Sequence, residues 1–178
     1  MDGRKYKYFY GQYMDQKDHL GGKMGQIGER IMEIPYVMEV VRSQNFKNIL
    51  EVGNVMSHYF NFNHDVLDKY EVNGGVFNED IVDFFPEKRY GLIISISTIE
   101  HVGFDEPTKE EGKAYRALAR IRELLDKGGM AVITVPLGYN PEIDEIVRKS
   151  SLPFTRKIYM KRTSILNRWK QLNNIRQC

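Results

Sequence analysis

The chain has 178 residues, 42% hydrophobic and 28% charged, with 26 Lys/Arg against 24 Asp/Glu and a net charge of +2. That length and mixture suit one folded domain and exclude a disordered chain, and the longest uncharged apolar stretch, Gly91 to Ile99, is far short of the ~18 residues of a membrane span. The single cysteine, Cys178, can neither staple a fold nor complete a zinc site, and no signal-peptide pattern opens the chain, so a cytoplasmic protein without membrane contact is expected.

Residues 1–28 read as an arm or lid: Tyr6, Tyr8, Phe9, Tyr10 and Tyr13 crowd its start, and Gly21, Gly22, Gly25 and Gly28 follow. Residues 29–178 read as one domain. A helix comes first, with Pro35 suited to its first turn and Val37, Val40 and Val41 on one stripe. Ile49–Gly53 reads as a first buried strand, Asp65–Asp68 as a second, Gly75–Asn78 as a third and Tyr90–Ser97 as a fourth. Thr108-Lys109-Glu110-Glu111 has the form of a capping box opening a helix through Ala114, Leu118, Ile121 and Leu125, which Gly128-Gly129 would end. Met130–Val135 reads as a fifth strand, Asn140-Pro141 as the start of a short helix, and segments around 156–161 and 167–172 as a hairpin.

Buried strands alternating with helices predict an α/β fold, a Rossmann-like three-layer sandwich with a mostly parallel sheet and an antiparallel C-terminal hairpin. From Ile146 to Cys178 there are nine Lys/Arg and no Asp or Glu, so this segment carries +9 and the rest of the chain −7. A solvated surface accounts for that asymmetry, as does a face for nucleic acid or another anion.

Ligands of open parallel sheets bind beyond the carboxyl ends of the strands. Those ends carry Glu51-Val52-Gly53-Asn54, Asp68-Lys69, Asn78-Glu79-Asp80, Ser97-Thr98-Ile99-Glu100-His101 and Leu137-Gly138-Tyr139-Asn140. A dinucleotide needs a Gly-x-Gly-x-x-Gly turn to cradle its pyrophosphate, whereas the turn here is Gly53-Asn54-Val55-Met56-Ser57-His58. Acidic strand ends attract the positive sulfonium of S-adenosylmethionine and repel pyrophosphate. The bland readings remain beside this one: Glu51 as a salt-bridged strand end, Asp68 and Asp80 as turn formers, Asn54 and His58 as loop shapers, and Arg30 as a surface charge.

ILEVG (Ile49–Gly53), Asp68, NEDIVDF (Asn78–Phe84), YGLIISISTIEHV (Tyr90–Val102) and LLDKGGMAVITVP (Leu124–Pro136) together resemble the class I S-adenosylmethionine-dependent methyltransferases, in particular their methyltransferase type 11-like branch. The resemblance spans about residues 48–137. It departs at the glycine turn, where Gly53 stands alone, and at Gly91, which stands where the family commonly has Asp. It implies a cofactor site of Glu51, Gly53, Asn54, Asp68, Lys69, Asp80, Ile81, Ser97 and Thr98. Asp68 would hold the ribose, and Asp80 and Ile81 would flank the adenine. Methyl transfer relies on positioning and desolvation, and an oxygen or nitrogen acceptor also calls for a base. His101 is the candidate base, with a pocket-lining role as its alternative, and Tyr13, Tyr139 and Asn140 are candidates for the acceptor. The Asn/Asp-Pro-Pro-aromatic motif of amino-methylating nucleic-acid enzymes is replaced here by Ser97-Thr98-Ile99-Glu100. A small-molecule or glycan acceptor is therefore expected. A catalytically silent binding module and an RNA methyltransferase using the basic C-terminal segment are the alternatives.

Overall fold

Tyr90–Ile96 forms the central strand of the sheet, and its alternation sorts the whole interior. Leu92, Ile94 and Ile96 face one apolar cluster and Ile93 faces the other, as the two-residue period of a strand requires. In the computed structural model, which describes residues 28–150, 152, 154–164 and 168–173, the order of elements is α1 (Arg30–Ser43), β1 (Ile49–Val52), β2 (Asp65–Leu67), β3 (Val76–Phe77), β4 (Tyr90–Ile96), α2 (Lys113–Leu124), β5 (Leu125–Thr134), α3 (Pro141–Lys149), β6 (Tyr159–Arg162) and β7 (Trp169–Leu172). The sheet runs β3-β2-β1-β4-β5, every neighbour parallel, while β6 and β7 form a separate antiparallel pair. The expected fold class is observed. The expected N-terminal arm, with Tyr13, lies outside the described residues apart from Gly28.

The helices cover the two faces of the sheet. On one face α1 lays Ile34, Val37 and Met38 against Leu92, Ile94 and Ile96, joined by Val55 and Met56 from the loop after β1. On the other, Ala114, Ala117, Leu118, Ile121 and Leu124 of α2 and Ile143 and Ile146 of α3 pack on Leu50, Val52, Leu67 and Ile93. Two crossovers are shorter than a full helix: 3-10 turns at Met56–His58 and Ile81–Asp83 replace it. Among the described residues, no helix is long and apolar enough to cross a membrane.

Three local expectations are corrected. Pro35 sits inside α1, not in its first turn, because the helix already begins at Arg30. The Thr108–Glu111 capping box does not form: α2 begins at Lys113 after a left-handed Gly112 (φ 78°), with no side chain of its own as cap. The cap arrives from α3 instead, where the Glu142 carboxylate accepts from the backbone N–H of Gly112 (3.2 Å) and of Tyr115 (3.0 Å). Gly128-Gly129 does not end the helix, which stops at Leu124; the pair lies within β5, where the register slips between Tyr90↔Leu125 and Leu92↔Met130.

Gly91 is explained by the fold. Its N–H donates to the carbonyls of Lys47 (2.9 Å) and Asn48 (3.0 Å), and a Cβ placed there would lie 2.6 Å from the Lys47 carbonyl oxygen. The loop entering β1 thus crosses over β4 at backbone contact, which leaves no room for a side chain at this position. Gly91→Ala should cost about 1–3 kcal/mol, the range for overpacking a rigid contact. Urea unfolding at neutral pH checks this, and an unchanged midpoint refutes it.

Candidate active site

β1 and β4 are neighbours, yet the chain leaves β1 toward β2 and leaves β4 toward β5. Their carboxyl ends therefore diverge and define the crevice in which open parallel sheets bind ligands. Gly53 closes β1 in a left-handed conformation (φ 84°), its N–H donating to the Leu67 carbonyl at 2.8 Å. Ser97 closes β4, also left-handed (φ 42°), an uncommon conformation for a residue with a Cβ. Its N–H donates to the Thr134 carbonyl (3.0 Å) and its hydroxyl to Glu33 Oε1 (2.8 Å). A Cβ on Gly53 would meet Thr98 Oγ1 at 2.1 Å. Glycine is required here because the β4 loop rests on it, a reason the sequence did not reveal.

On the β1–β2 side, the carboxylates are bound to the chain itself. Glu51 is fully buried; its Oε1 accepts from the Val55 and Met56 backbone N–H groups and its Oε2 meets His64 Nε2 at 2.9 Å. His64 lies stacked on Phe62, ring centroids 4.0 Å apart, and went unnoticed in the sequence because it follows no strand. Burial pulls its pKa down, but the hydrogen bonds it donates to Glu51 and to the Phe62 carbonyl, with the neighbouring charges, win and raise it. Glu51 thus pins the loop after Gly53 and has the salt-bridged strand-end arrangement. Asp68 Oδ1 accepts from the N–H of Tyr70 (2.9 Å) and Glu71 (2.8 Å), and its Oδ2 from the N–H of Asn54 (3.1 Å). Asn54 in turn donates its carboxamide to Glu71 at 2.7 Å. Gly53, Asn54 and Asp68 are brought together at one strand-end corner.

Lys69 and Asp80 join a different assembly. Lys69 Nζ stands 2.9 Å from Asp80 and 3.0 Å from Glu106, and Lys113 Nζ stands 2.7 Å from Asp80 and 2.6 Å from Glu106. Burial would raise the carboxyl pKa values, yet the two ammonium groups outweigh it and hold Asp80 and Glu106 below the ordinary range. This clamp ties the ends of β2 and β3 to the loop after β4 and to the start of α2. Asp80 also caps the 3-10 turn through the Val82 N–H (3.2 Å), and Ile81 is buried in the core.

The loop after β4 carries the titratable groups. His101 Nδ1 is hydrogen-bonded to Asp105, which also accepts from the Tyr139 hydroxyl at 2.6 Å. The Tyr139 and His101 bonds hold the Asp105 carboxyl low, so it stays ionised and only accepts. The imidazole therefore donates from Nδ1 and leaves Nε2 as its basic atom. The His101 and Tyr139 rings meet edge to face at 5.0 Å, and the His101 side chain is half exposed. Asn140 is buried: its carboxamide accepts from the Glu142 N–H as the α3 cap and donates to the Glu100 carbonyl at 2.8 Å. It positions the loop that presents Tyr139.

Glu100 was read only as one of the acidic strand ends, and Glu33, on α1, escaped the sequence reading. Both are buried, at 1% and 2% exposure, and Oε2 of each has no hydrogen-bond partner. Burial pushes the Glu33 carboxyl up, and burial together with the Glu33 and Glu29 charges pushes Glu100 to about 8.

No family profile and no curated protein matches the sequence. Among solved structures, the chain is similar to the N-methyltransferase NodS from Bradyrhizobium japonicum WM9 in complex with S-adenosyl-L-homocysteine, at 11% identity and a TM-score of 0.53, covering 91% of this chain and 95% of that one. A second structure of NodS gives 11% identity and a TM-score of 0.52 over 80% and 92% of the two chains. Against the glycopeptide N-methyltransferase MtfA the identity is 14% and the TM-score 0.41, and the chain spans about half of that protein, 53%. The fold is that of the class I methyltransferases.

Folded Glu100 keeps its proton to about pH 8, whereas an unfolded glutamate releases it near 4.5. The folded state therefore binds more protons between these values, and stability falls as pH rises through them. Glu100→Gln should remove that fall and raise stability near pH 8 by roughly 2–4 kcal/mol relative to the wild type. Urea melts of both proteins at about pH 5 and pH 8 measure the difference, and parallel pH dependences would contradict it.

Proposed function

We propose that this protein is an S-adenosylmethionine-dependent methyltransferase acting on a small-molecule or glycan acceptor. The observation that carries the reading is the corner built by Gly53, Asn54 and Asp68 beside the β1–β4 crevice. A carboxylate has about four acceptor positions, and three on Asp68 are taken by backbone N–H groups. The one left, on Oδ2, suits a ribose hydroxyl. The turn holds no glycine cradle for pyrophosphate. The residues present therefore fit S-adenosylmethionine, which the NodS structure contains in demethylated form.

When bound, that group supplies a methyl carbon on a cationic sulfur, already activated for displacement. Gly53, Asn54 and Asp68 would hold the nucleoside end, and the Ser97–Thr98 turn would border the other. His101, fixed by Asp105 through Nδ1, receives at Nε2 the proton that the acceptor gives up, and Tyr139 forms part of the acceptor wall. The Asp80–Lys69 pair acts on the site indirectly, by holding the β2, β3 and α2 ends in register.

The contact of Thr98 with Gly53 favours a second reading, a scaffold that keeps the fold without the cofactor. A thermal-shift panel of S-adenosylmethionine, S-adenosylhomocysteine and NAD separates the two: stabilisation by the first two alone supports the enzyme, and no shift supports the scaffold. In the enzyme, Asp68→Ala should weaken S-adenosylhomocysteine by about 1.5–3 kcal/mol in calorimetry, the size of a hydrogen bond to a charged group. His101→Ala should lower turnover by about 100-fold or more, as loss of a general base does, with cofactor affinity unchanged. Equal losses in both would make His101 a wall residue.

A further inference from the structure

The buried pair Glu33 and Glu100 is not used by the cofactor corner. Glu33 projects from the first turn of α1, and Glu100 lies in the 3-10 turn that follows β4. Glu33 Oε1 is bound by the Ser97 hydroxyl, whose backbone N–H reaches Thr134 at the end of β5. The pair thus sits on the β4–β5 side of the crevice, whereas Gly53 and Asp68 sit on the β1–β2 side. Each carboxylate has one oxygen without a donor. Proteins seldom bury such oxygens, because an unmatched acceptor keeps the whole cost of losing its water.

The charged groups facing the pair are few. Glu29 and Arg30 act on both from the start of α1, and the two carboxylates repel one another. His101 Nε2 stands 3.7 Å from Glu100 Oε1. No Lys or Arg among the described residues forms an ion pair with either glutamate. The electrostatic demand of the site is for a small cation carrying N–H donors. An organic ammonium has both properties, and a sulfonium has only the charge.

Given the methyltransferase reading above, we propose that Glu33 and Glu100 form the receptor for a protonated amine, so that the methyl acceptor is a small-molecule primary or secondary amine. The ammonium fills the two unmatched oxygens with N–H donors. One N–H bond then breaks, and its proton passes to the Glu100 carboxylate while the electron pair stays on nitrogen. The amine becomes neutral and nucleophilic, and Glu100 becomes a neutral acid. His101 Nε2 takes that proton across the short gap and passes it to water from its half-exposed ring. Burial raises the proton affinity of Glu100 toward that of an alkyl ammonium, which narrows the gap the transfer must cross. Amine binding also displaces the proton that free Glu100 carries near neutrality, so affinity rises with pH.

The test uses glucosamine and ethanolamine as probes, with glucose and ethylene glycol as their counterparts lacking nitrogen. The protein is saturated with S-adenosylhomocysteine, and binding is read by calorimetry and thermal shift in the wild type, Glu33→Gln and Glu100→Gln. At least one amine should bind the wild type, more tightly at about pH 8 than at about pH 6, while the counterparts do not bind. Each Gln variant should bind that amine about tenfold or more weakly, with affinities for S-adenosylmethionine and S-adenosylhomocysteine both within about twofold of wild type. Glutamine matches glutamate in shape and has no charge to bury, so loss of folding does not confuse the result. No amine binding, or equal binding in the variants, overturns the receptor. A parallel loss of S-adenosylmethionine affinity also overturns it, because the pair then serves the sulfonium charge that S-adenosylhomocysteine lacks. If S-adenosylhomocysteine itself fails to bind the wild type, the methyltransferase reading falls instead, and the amine arms on the protein alone still decide the receptor.

Discussion

The parallel pairing of β1 with β4, in register from Ile49↔Leu92 to Val52↔Ser95, is the constraint on which the site depends. It sets two strand ends side by side and sends their following segments in opposite directions. The two closing residues are then forced into close quarters. Gly53 turns left-handed under Thr98, and Ser97 turns left-handed toward Glu33 and Thr134. A left-handed residue with a Cβ is an unfavourable local choice. Ser97 tolerates it because its N–H and hydroxyl are both bonded in that geometry. The local conformation is thus maintained by the tertiary structure rather than by propensity.

The carboxylates around this junction fall into three electrostatic states. Glu51 and Asp68 are neutralised chiefly by backbone N–H groups, so their positions are fixed by the loops they hold. Asp80 and Glu106 are neutralised by Lys69 and Lys113, and a clamp of two cations and two anions keeps them ionised. Glu33 and Glu100 are neutralised by neither, and the burial that isolates them drives them toward the protonated form. All six are the same chemistry in sequence. Their neighbours, most of them distant along the chain, assign the difference.

This explains which parts were legible in advance. Strands such as YGLIISI announce themselves because three isoleucines in a short uncharged run fit little except a strand buried on both faces. The order of strand ends followed, and with it the corner of Gly53, Asn54 and Asp68. The start of α2 was not legible, because its cap is Glu142 from another helix while the local Thr108–Glu111 box goes unused. Gly91 read as a missing acid, yet its shape is dictated by the Lys47 carbonyl, 44 positions earlier in sequence. Asp80 read as a ligand residue, and only the two lysines reveal its clamp. Glu33 lay outside every motif, since a glutamate four residues into a helix is ordinarily exposed.

The contrast between the two sides of the crevice bears on how such a site works. The β1–β2 side has its carboxylates satisfied and its loops pinned, a geometry ready before any ligand arrives. The β4–β5 side retains two unmatched oxygens beside a histidine whose tautomer is fixed by Asp105. A pair of glutamines there would keep the shape and relieve the burial of charge, so the carboxylates cost stability in the free chain beyond what the Ser97–Glu33 hydrogen bond returns. On the reading proposed above, the cationic acceptor offsets that cost. One side of the crevice then holds its ligand by shape, and the other responds to charge.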